Sequence, residues 1–194
     1  MKILPISKEK AIELLKSYNQ EQSDMNHYLE SAAVMKQIAK EIGEDEEYYE
    51  MLGLLHDVDW SLTKNDSKNH LTLAPEILRK NGFDEEFINI IVSHGYGYDC
   101  AGLKDKKREK KIEFILAASE TITGLIHAYA LMRGKKISDM EVSGLKKKFK
   151  DKAFAAGCNR EIISEIEKAG ISLDNFFRIA IEGIKNIKEQ VGLE

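Results

Sequence analysis

Proline and cysteine are scarce in this chain, at two residues each among 194, and each scarcity excludes something. Pro5 and Pro75 are the only positions lacking a backbone N–H, so nearly all of the chain is free to run in helices. Cys100 and Cys158 form no CxxC pair, which excludes a disulfide framework and a cysteine-built zinc site and fits a reducing compartment. A basic excess is missing too. The 29 Lys and Arg face 33 Asp and Glu, a net charge of −4, where a general nucleic-acid binder would be positive. Apolar runs are short. The longest, Gly124 to Met132, carries His127 and falls below the roughly 20 residues a membrane span needs. The stretch from Met1 to Ile6 is likewise too brief for a signal peptide before charge begins at Lys8. These absences lead to the expectation of one cytoplasmic domain without a membrane segment. At this length such a domain covers roughly 70% of its unfolded surface, so it needs no cross-links.

What is present is a helical period. Apolar residues recur at three- and four-residue steps, and no segment alternates as a strand does. Ser7 suits the cap of a helix ending near Asn19, and Ser23 or Asp24 that of a second, stopped by Gly43. A third is expected from Asp45 to Asp59, whereas the polar stretch from Trp60 to Asn69 reads as a loop. Short helices are expected near Leu73–Asn81 and Asp84–Ser93, and a long one from about Glu109 to Met132. Ser138-Asp139-Met140-Glu141 has the form of a capping box, and Asn159 and Ser172 suit the caps of the last two helices. The expected architecture is a single all-α domain over residues 1–194. Its core would span about 22–132, with a C-terminal helical appendage over about 138–191.

The chemistry concentrates at His56-Asp57, which ends the apolar run Leu52-Gly53-Leu54-Leu55. Burying an unpaired imidazole or carboxylate costs several kcal/mol, so two such groups at the end of a core helix call for partners. A divalent metal satisfies both at once. Further ligands must come from other segments, and the chain offers His27, His70, His94 and Glu120. Glu120 is a lone carboxylate in the small and apolar stretch from Ala117 to Ile126. His127, seven residues later, lies about 10.5 Å further along the same helix and reads as structural. Asp59 suits either a role beside the site or the cap of the following turn. The cluster Lys146, Lys147, Lys148, Lys150 and Lys152 reads as a solvated helix face, with a phosphate-facing rim as the functional alternative. The run from Lys104 to Lys111 carries the same pair of readings, and its cations oppose a helix start, so it is expected to begin as loop.

The order His27, His56-Asp57, His70, His94, Glu120 resembles the HD-domain superfamily of metal-dependent phosphohydrolases. So do the flanks Gly53-Leu54-Leu55-His56-Asp57-Val58-Asp59, Ser93-His94-Gly95, Thr123-Gly124-Leu125-Ile126 and the stretch from Lys146 to Gly157. The resemblance implies an HD-domain helical bundle holding one or two divalent metal ions: Mn, Fe, Co, Ni or Zn in preference to Mg alone. It implies His27, His56, Asp57 and Glu120 as the primary ligands, with His70 and His94 as those of a second ion and Asp57 as the bridging, catalytic carboxylate. The implied activity is attack of a metal-activated hydroxide on a nucleotide or other small phosphate ester. The expected partner is therefore a small phosphorylated molecule, with no nucleic acid and no membrane, in a possible homodimer. Where the family usually carries Asp, in a motif like A-V-D-E-L-T-G, this chain has Glu120. That leaves an alternative open: a catalytically silent metal-binding HD protein with a regulatory or ligand-binding role.

Overall fold

Five side chains start helices. Ser7, Asp45, Asp84, Asn159 and Ser172 each accept a hydrogen bond from a backbone N–H two or three residues ahead, satisfying donors that a helix start leaves free. A computed structural model describes residues 2–194, and no strand occurs among them. The helices are α1 (Lys8–Ser17), α2 (Gln22–Ile42), α3 (Glu46–Leu55), α4 (Trp60–Thr63) and α5 (Ala74–Lys80). They continue as α6 (Glu85–Ser93), α7 (Lys111–Met132), α8 (Val142–Lys150), α9 (Arg160–Ser164) and α10 (Leu173–Lys185). Short 3₁₀ turns lie at Ser67–Asn69, Glu165–Ala169 and Lys188–Val191. The all-α expectation holds, and Gly43 ends α2 in the left-handed conformation as expected.

Four local expectations give way to tertiary structure. The third helix stops at Leu55, four residues early, and residues 56–59 form tight turns instead. Trp60 to Asn69 is not a plain loop, because α4 and the turn at Ser67–Asn69 occupy it. The second helix begins before Ser23 and Asp24, with Glu21 at its cap position and no side-chain cap bond. Ser138 caps nothing. Its N–H and that of Ile137 donate to the Glu194 carbonyl while Ile137 and Met140 are buried, so α8 starts only after Glu141.

The core gathers around α2 and α7. On α2, Tyr28, Val34, Met35 and Ile38 are fully covered, and α3 adds Leu52, Leu54 and Leu55. Each such large side chain contributes about 1.5–3 kcal/mol by leaving water. By length and composition α7 is apolar enough to cross a membrane, but 72% of its apolar window is buried within the fold, as in a core helix. Two polar pairs tie α2 to α7: His27 to Thr123, and Glu30 to His127, the latter at 2.6 Å. The buried Glu30 carboxylate holds the His127 imidazole above its ordinary pKa through that hydrogen bond.

Gly53 fixes the approach of α3 to α2. A Cβ there would lie 2.6 Å from the Ser31 carbonyl oxygen and 2.8 Å from the Ala32 Cα, against backbone that cannot step aside. Gly53→Ala is expected to cost about 1–3 kcal/mol through overpacking, read as a lower denaturation midpoint. A second expectation concerns pH. The Glu30–His127 pair stabilises fully below the unfolded histidine pKa of about 6.5 and fades as pH rises through the raised folded value. His127→Gln should therefore lose more stability at pH 5.5 than at pH 9 in denaturant titrations. An equal loss at both would refute the pairing.

Candidate metal centre

The early end of α3 is what lets His56 and Asp57 act together. Successive residues of an α-helix diverge by about 100°, but here the chain turns tightly, with Val58 N–H donating to Leu55 O and Trp60 N–H to Asp57 O. His56 remains fully buried, and the Asp57 side chain keeps 15% of its surface exposed. His94 sits at the matching C-terminal position of α6, and His70 follows the turn at Ser67–Asn69. A Cβ on Gly95 would lie 2.5 Å from Leu71 Cδ1, so glycine lets the His70–Leu71 segment close against His94. Leu71 accepts a left-handed φ of 67° to do so, a conformation costing about 1–2 kcal/mol in a branched residue.

Five of the expected side chains meet. Ligand atoms of His27, His56 and Asp57 converge in one set, and those of Asp57, His70 and His94 in a second, so Asp57 belongs to both. His27 Nε2 lies 3.0 Å from His56 Nε2, and His70 Nε2 lies 3.2 Å from His94 Nε2. Asp57 Oδ1 is 3.3 Å from His70 Nε2 and 3.1 Å from His94 Nε2, while its Oδ2 is 3.5 Å from His56 Nε2. Glu120 stands beside these sets and in neither. Its carboxylate accepts a hydrogen bond from the Thr121 hydroxyl, and burial raises its pKa.

The other imidazole nitrogens decide the tautomers. His56 Nδ1 is 2.8 Å from the Gly53 carbonyl and His94 Nδ1 is 2.7 Å from the Ile91 carbonyl, so both nitrogens donate. Thr123 donates its hydroxyl to the Glu120 carbonyl at 2.7 Å, and its oxygen therefore accepts from His27 Nδ1 at 2.9 Å. His70 Nδ1 faces Asp59 Oδ1 at 3.3 Å. Asp59 itself is fully buried, and its Oδ2 accepts the N–H groups of Leu73 and Ala74 at 3.1 Å, so it caps the start of α5 beside His70 and makes no side-chain cap bond to the turn that follows it. In their neutral forms all four rings thus present Nε2 lone pairs to one another.

Facing lone pairs at about 3 Å repel unless a cation lies between them. Burial depresses the His56 pKa to about 3, so this ring does not supply the proton. Burial opposes ionisation of His70 as well, yet hydrogen bonds to Asp57 and Asp59 override it and raise its pKa to about 10, so without a metal a proton on this ring bridges the His70–His94 contact. Burial also works against the Asp57 carboxylate, but the surrounding His56, His70 and His94 hold it well below its ordinary range. The spacing suits a metal. Donors about 2.1 Å from one ion, at tetrahedral or octahedral angles, lie about 3.0–3.4 Å apart. Imidazole with a shared carboxylate, each ring fixed through its far nitrogen, is the donor set that divalent first-row metals take.

Two positioning residues escaped the sequence reading. In the sequence Thr123 stands only as part of the flank Thr123-Gly124-Leu125-Ile126 that carries the resemblance, with no role of its own. Arg108 gave no signal of this kind. Its guanidinium donates to the His94 and Tyr96 carbonyls at 2.6 and 3.0 Å and pairs with Glu165 at 2.9 Å, holding the chain on either side of Gly95.

Comparison with known proteins bears on this centre. A family model described as HD domain matches residues 25–121. Among curated relatives, Ribonuclease Y of Thermotoga maritima is 25% identical over 177 residues, 88% of this chain and 33% of the relative. Ribonuclease Y of Mycoplasma mycoides subsp. mycoides is 32% identical over 102 residues, 53% of this chain and 18% of the relative. That of Thermosipho melanesiensis is 36% identical over 73 residues, 38% of this chain and 14% of the relative. The chain thus spans a third or less of the length of these relatives. No solved structure matches the chain significantly.

Thr123→Val keeps the shape of the side chain and removes the oxygen that orients His27. It should weaken metal binding about 10–100-fold while leaving the denaturation midpoint of metal-free protein close to wild type. His70→Ala should reduce bound metal from two ions to one per chain, measured by elemental analysis.

Proposed function

The chain belongs to the HD domain family, and from that membership and the two ligand sets we propose that it hydrolyses a phosphate ester of a nucleotide. His27, His56 and Asp57 would hold one divalent ion, and Asp57, His70 and His94 a second, drawn from Mn, Fe, Co, Ni or Zn. The observation that carries this reading is the double membership of Asp57, whose two oxygens face different imidazoles. Bound there, divalent ions bring the pKa of water towards 7 and offset negative charge on phosphoryl oxygens.

The chain's own part is orientation and access. Thr123, Asp59 and the Gly53 and Ile91 carbonyls hold the four rings, so little reorganisation is required when a substrate arrives. His56 and His94 lie in the interior, while Asp57 and His70 keep 15% and 13% of their side chains exposed. A phosphate therefore approaches from the Asp57 side. The relatives' name, Ribonuclease Y, adds RNA phosphodiesters to the esters worth offering.

The test is a screen of nucleotides, dinucleoside polyphosphates, sugar phosphates and short RNA, with each metal supplied separately. Metal-dependent release is expected, falling to background in His56→Ala and Asp57→Ala; turnover persisting in either variant overturns the assignment. The position of Glu120 outside both sets favours one competing reading, a metal-holding protein without turnover. That reading is correct if metal-loaded wild type cleaves nothing in the screen and Glu120→Asp does.

A further inference from the structure

Some lysines on this surface are matched. Lys2 pairs with Glu86, Lys8 and Lys36 with Glu50, Lys64 with Glu21, and Lys80 with Glu76. One region differs. A cleft of about 490 Å³ is lined by Tyr98, Lys106, Lys107, Asn159 and Lys168, among others, and Lys106 and Lys107 are exposed with no ion pair among the described residues. Of the two glutamates that line it, Glu165 is already engaged by Arg108 and Lys168. A second cleft of about 500 Å³ adjoins it through Tyr98 and Asn159 and brings Lys152, again without an ion pair. The first cleft is lined by Lys106, Lys107, Arg108 and Lys168 against Glu161 and Glu165, a local excess of positive charge on a chain of net charge −4.

The clefts are fastened to the metal centre. Tyr96, on the wall of the first, is two residues past His94, and one Arg108 nitrogen binds both their carbonyls. Tyr98 lies near enough to Glu120 for that carboxylate, after burial, to raise its hydroxyl pKa. Cys158 of the second cleft packs on α7, with its Sγ 2.9 Å from where a Gly124 Cβ would stand, one turn beyond Glu120. The second wall is preformed. Arg160 donates to the carbonyls of Phe149, Phe154, Ala155 and Cys158, so the segment between α8 and α9 is wrapped around one guanidinium. A volume of this size, positively charged and held open beside a hydrolytic centre, suits the part of a substrate that does not react.

We propose that the Tyr98–Lys106–Lys107 cleft is a second phosphate site, so that the substrate carries another phosphate group besides the one cleaved at the metals. This rests on the hydrolase reading, and it narrows the substrate to molecules with two separated phosphates. Such a pair occurs both in nucleoside bisphosphates and in 5′-phosphorylated dinucleotides.

The experiment compares adenosine 3′,5′-bisphosphate with adenosine 5′-monophosphate, and 5′-phosphorylated ApA with unphosphorylated ApA, on metal-loaded full chain. Wild type should favour the doubly charged member of at least one pair by about tenfold in kcat/KM, mostly through KM; the pair with the larger ratio names the source. In the Lys106→Ala/Lys107→Ala variant that ratio should fall to within about twofold of one, and the log–log salt slope should fall by about one unit. A ratio near one in wild type, or a ratio untouched by the double substitution, overturns the second phosphate site and leaves the hydrolase reading standing. If no ester is cleaved, dissociation constants of the same four compounds, measured by calorimetry, give the same ratio. A tenfold preference lost in the variant then supports the site although turnover has failed, and equal affinities refute it.

Discussion

Four imidazole nitrogens point at one another across about 3 Å because their opposite nitrogens have been tied outward. Two of those ties are carbonyls three residues earlier in the same helix, so they cost the fold almost nothing: a histidine at a helix C-terminus finds its acceptor in the preceding turn. A third comes from distant chain, through Thr123, while His70 Nδ1 lies 3.3 Å from the Asp59 carboxylate. An unmatched polar atom in the interior costs about 1–3 kcal/mol, and more once charge is involved. Such an arrangement calls for positive charge, which a metal supplies or, at His70, a proton. Gly53, Gly95 and the left-handed Leu71 serve the same end, since each trades side-chain volume or backbone comfort for close approach of the segments that carry the rings.

Helix α7 joins the two halves of the functional face. Its apolar length makes it the axis of the core, and its few polar residues fall where they are used. Thr123 steadies His27, His127 takes the Glu30 carboxylate, and Glu120 lies between the metal centre and the lysine-lined clefts. The cleft walls hang on arginines as well as on hydrophobic packing. Arg108 and Arg160 spend their donors on backbone carbonyls, which shapes loops without covering their lysines.

Much of this was legible in the residues. Ser7, Asp45, Asp84, Asn159 and Ser172 announce helix starts because a short oxygen-bearing side chain meets free N–H groups through purely local geometry. The metal-facing histidines were legible for a related reason: polar groups inside apolar surroundings demand partners, and the resemblance supplied their order. The turn that swings Asp57 into both sets was not legible, because Val58 and Asp59 continue a helical pattern until tertiary contacts bend the chain. Ser138 failed in the opposite sense. Its capping pattern is sound, but burial of Ile137 and Met140 and the bond to Glu194 claim the backbone first. The lysine run was readable as charge and unreadable as a cleft, because whether a lysine is matched depends on which carboxylates the fold leaves within reach.

Glu120 illustrates how donor number governs chemistry. Structural metal sites close the coordination sphere with protein atoms, whereas catalytic ones keep a position for water or substrate. Each set here has three protein donors, with Asp57 counted in both. Glu120, one of whose carboxylate oxygens faces the Thr121 hydroxyl, leaves both sets at three. The substitution thus bears on the surroundings of the centre, while His27, His56, Asp57, His70 and His94 converge without it.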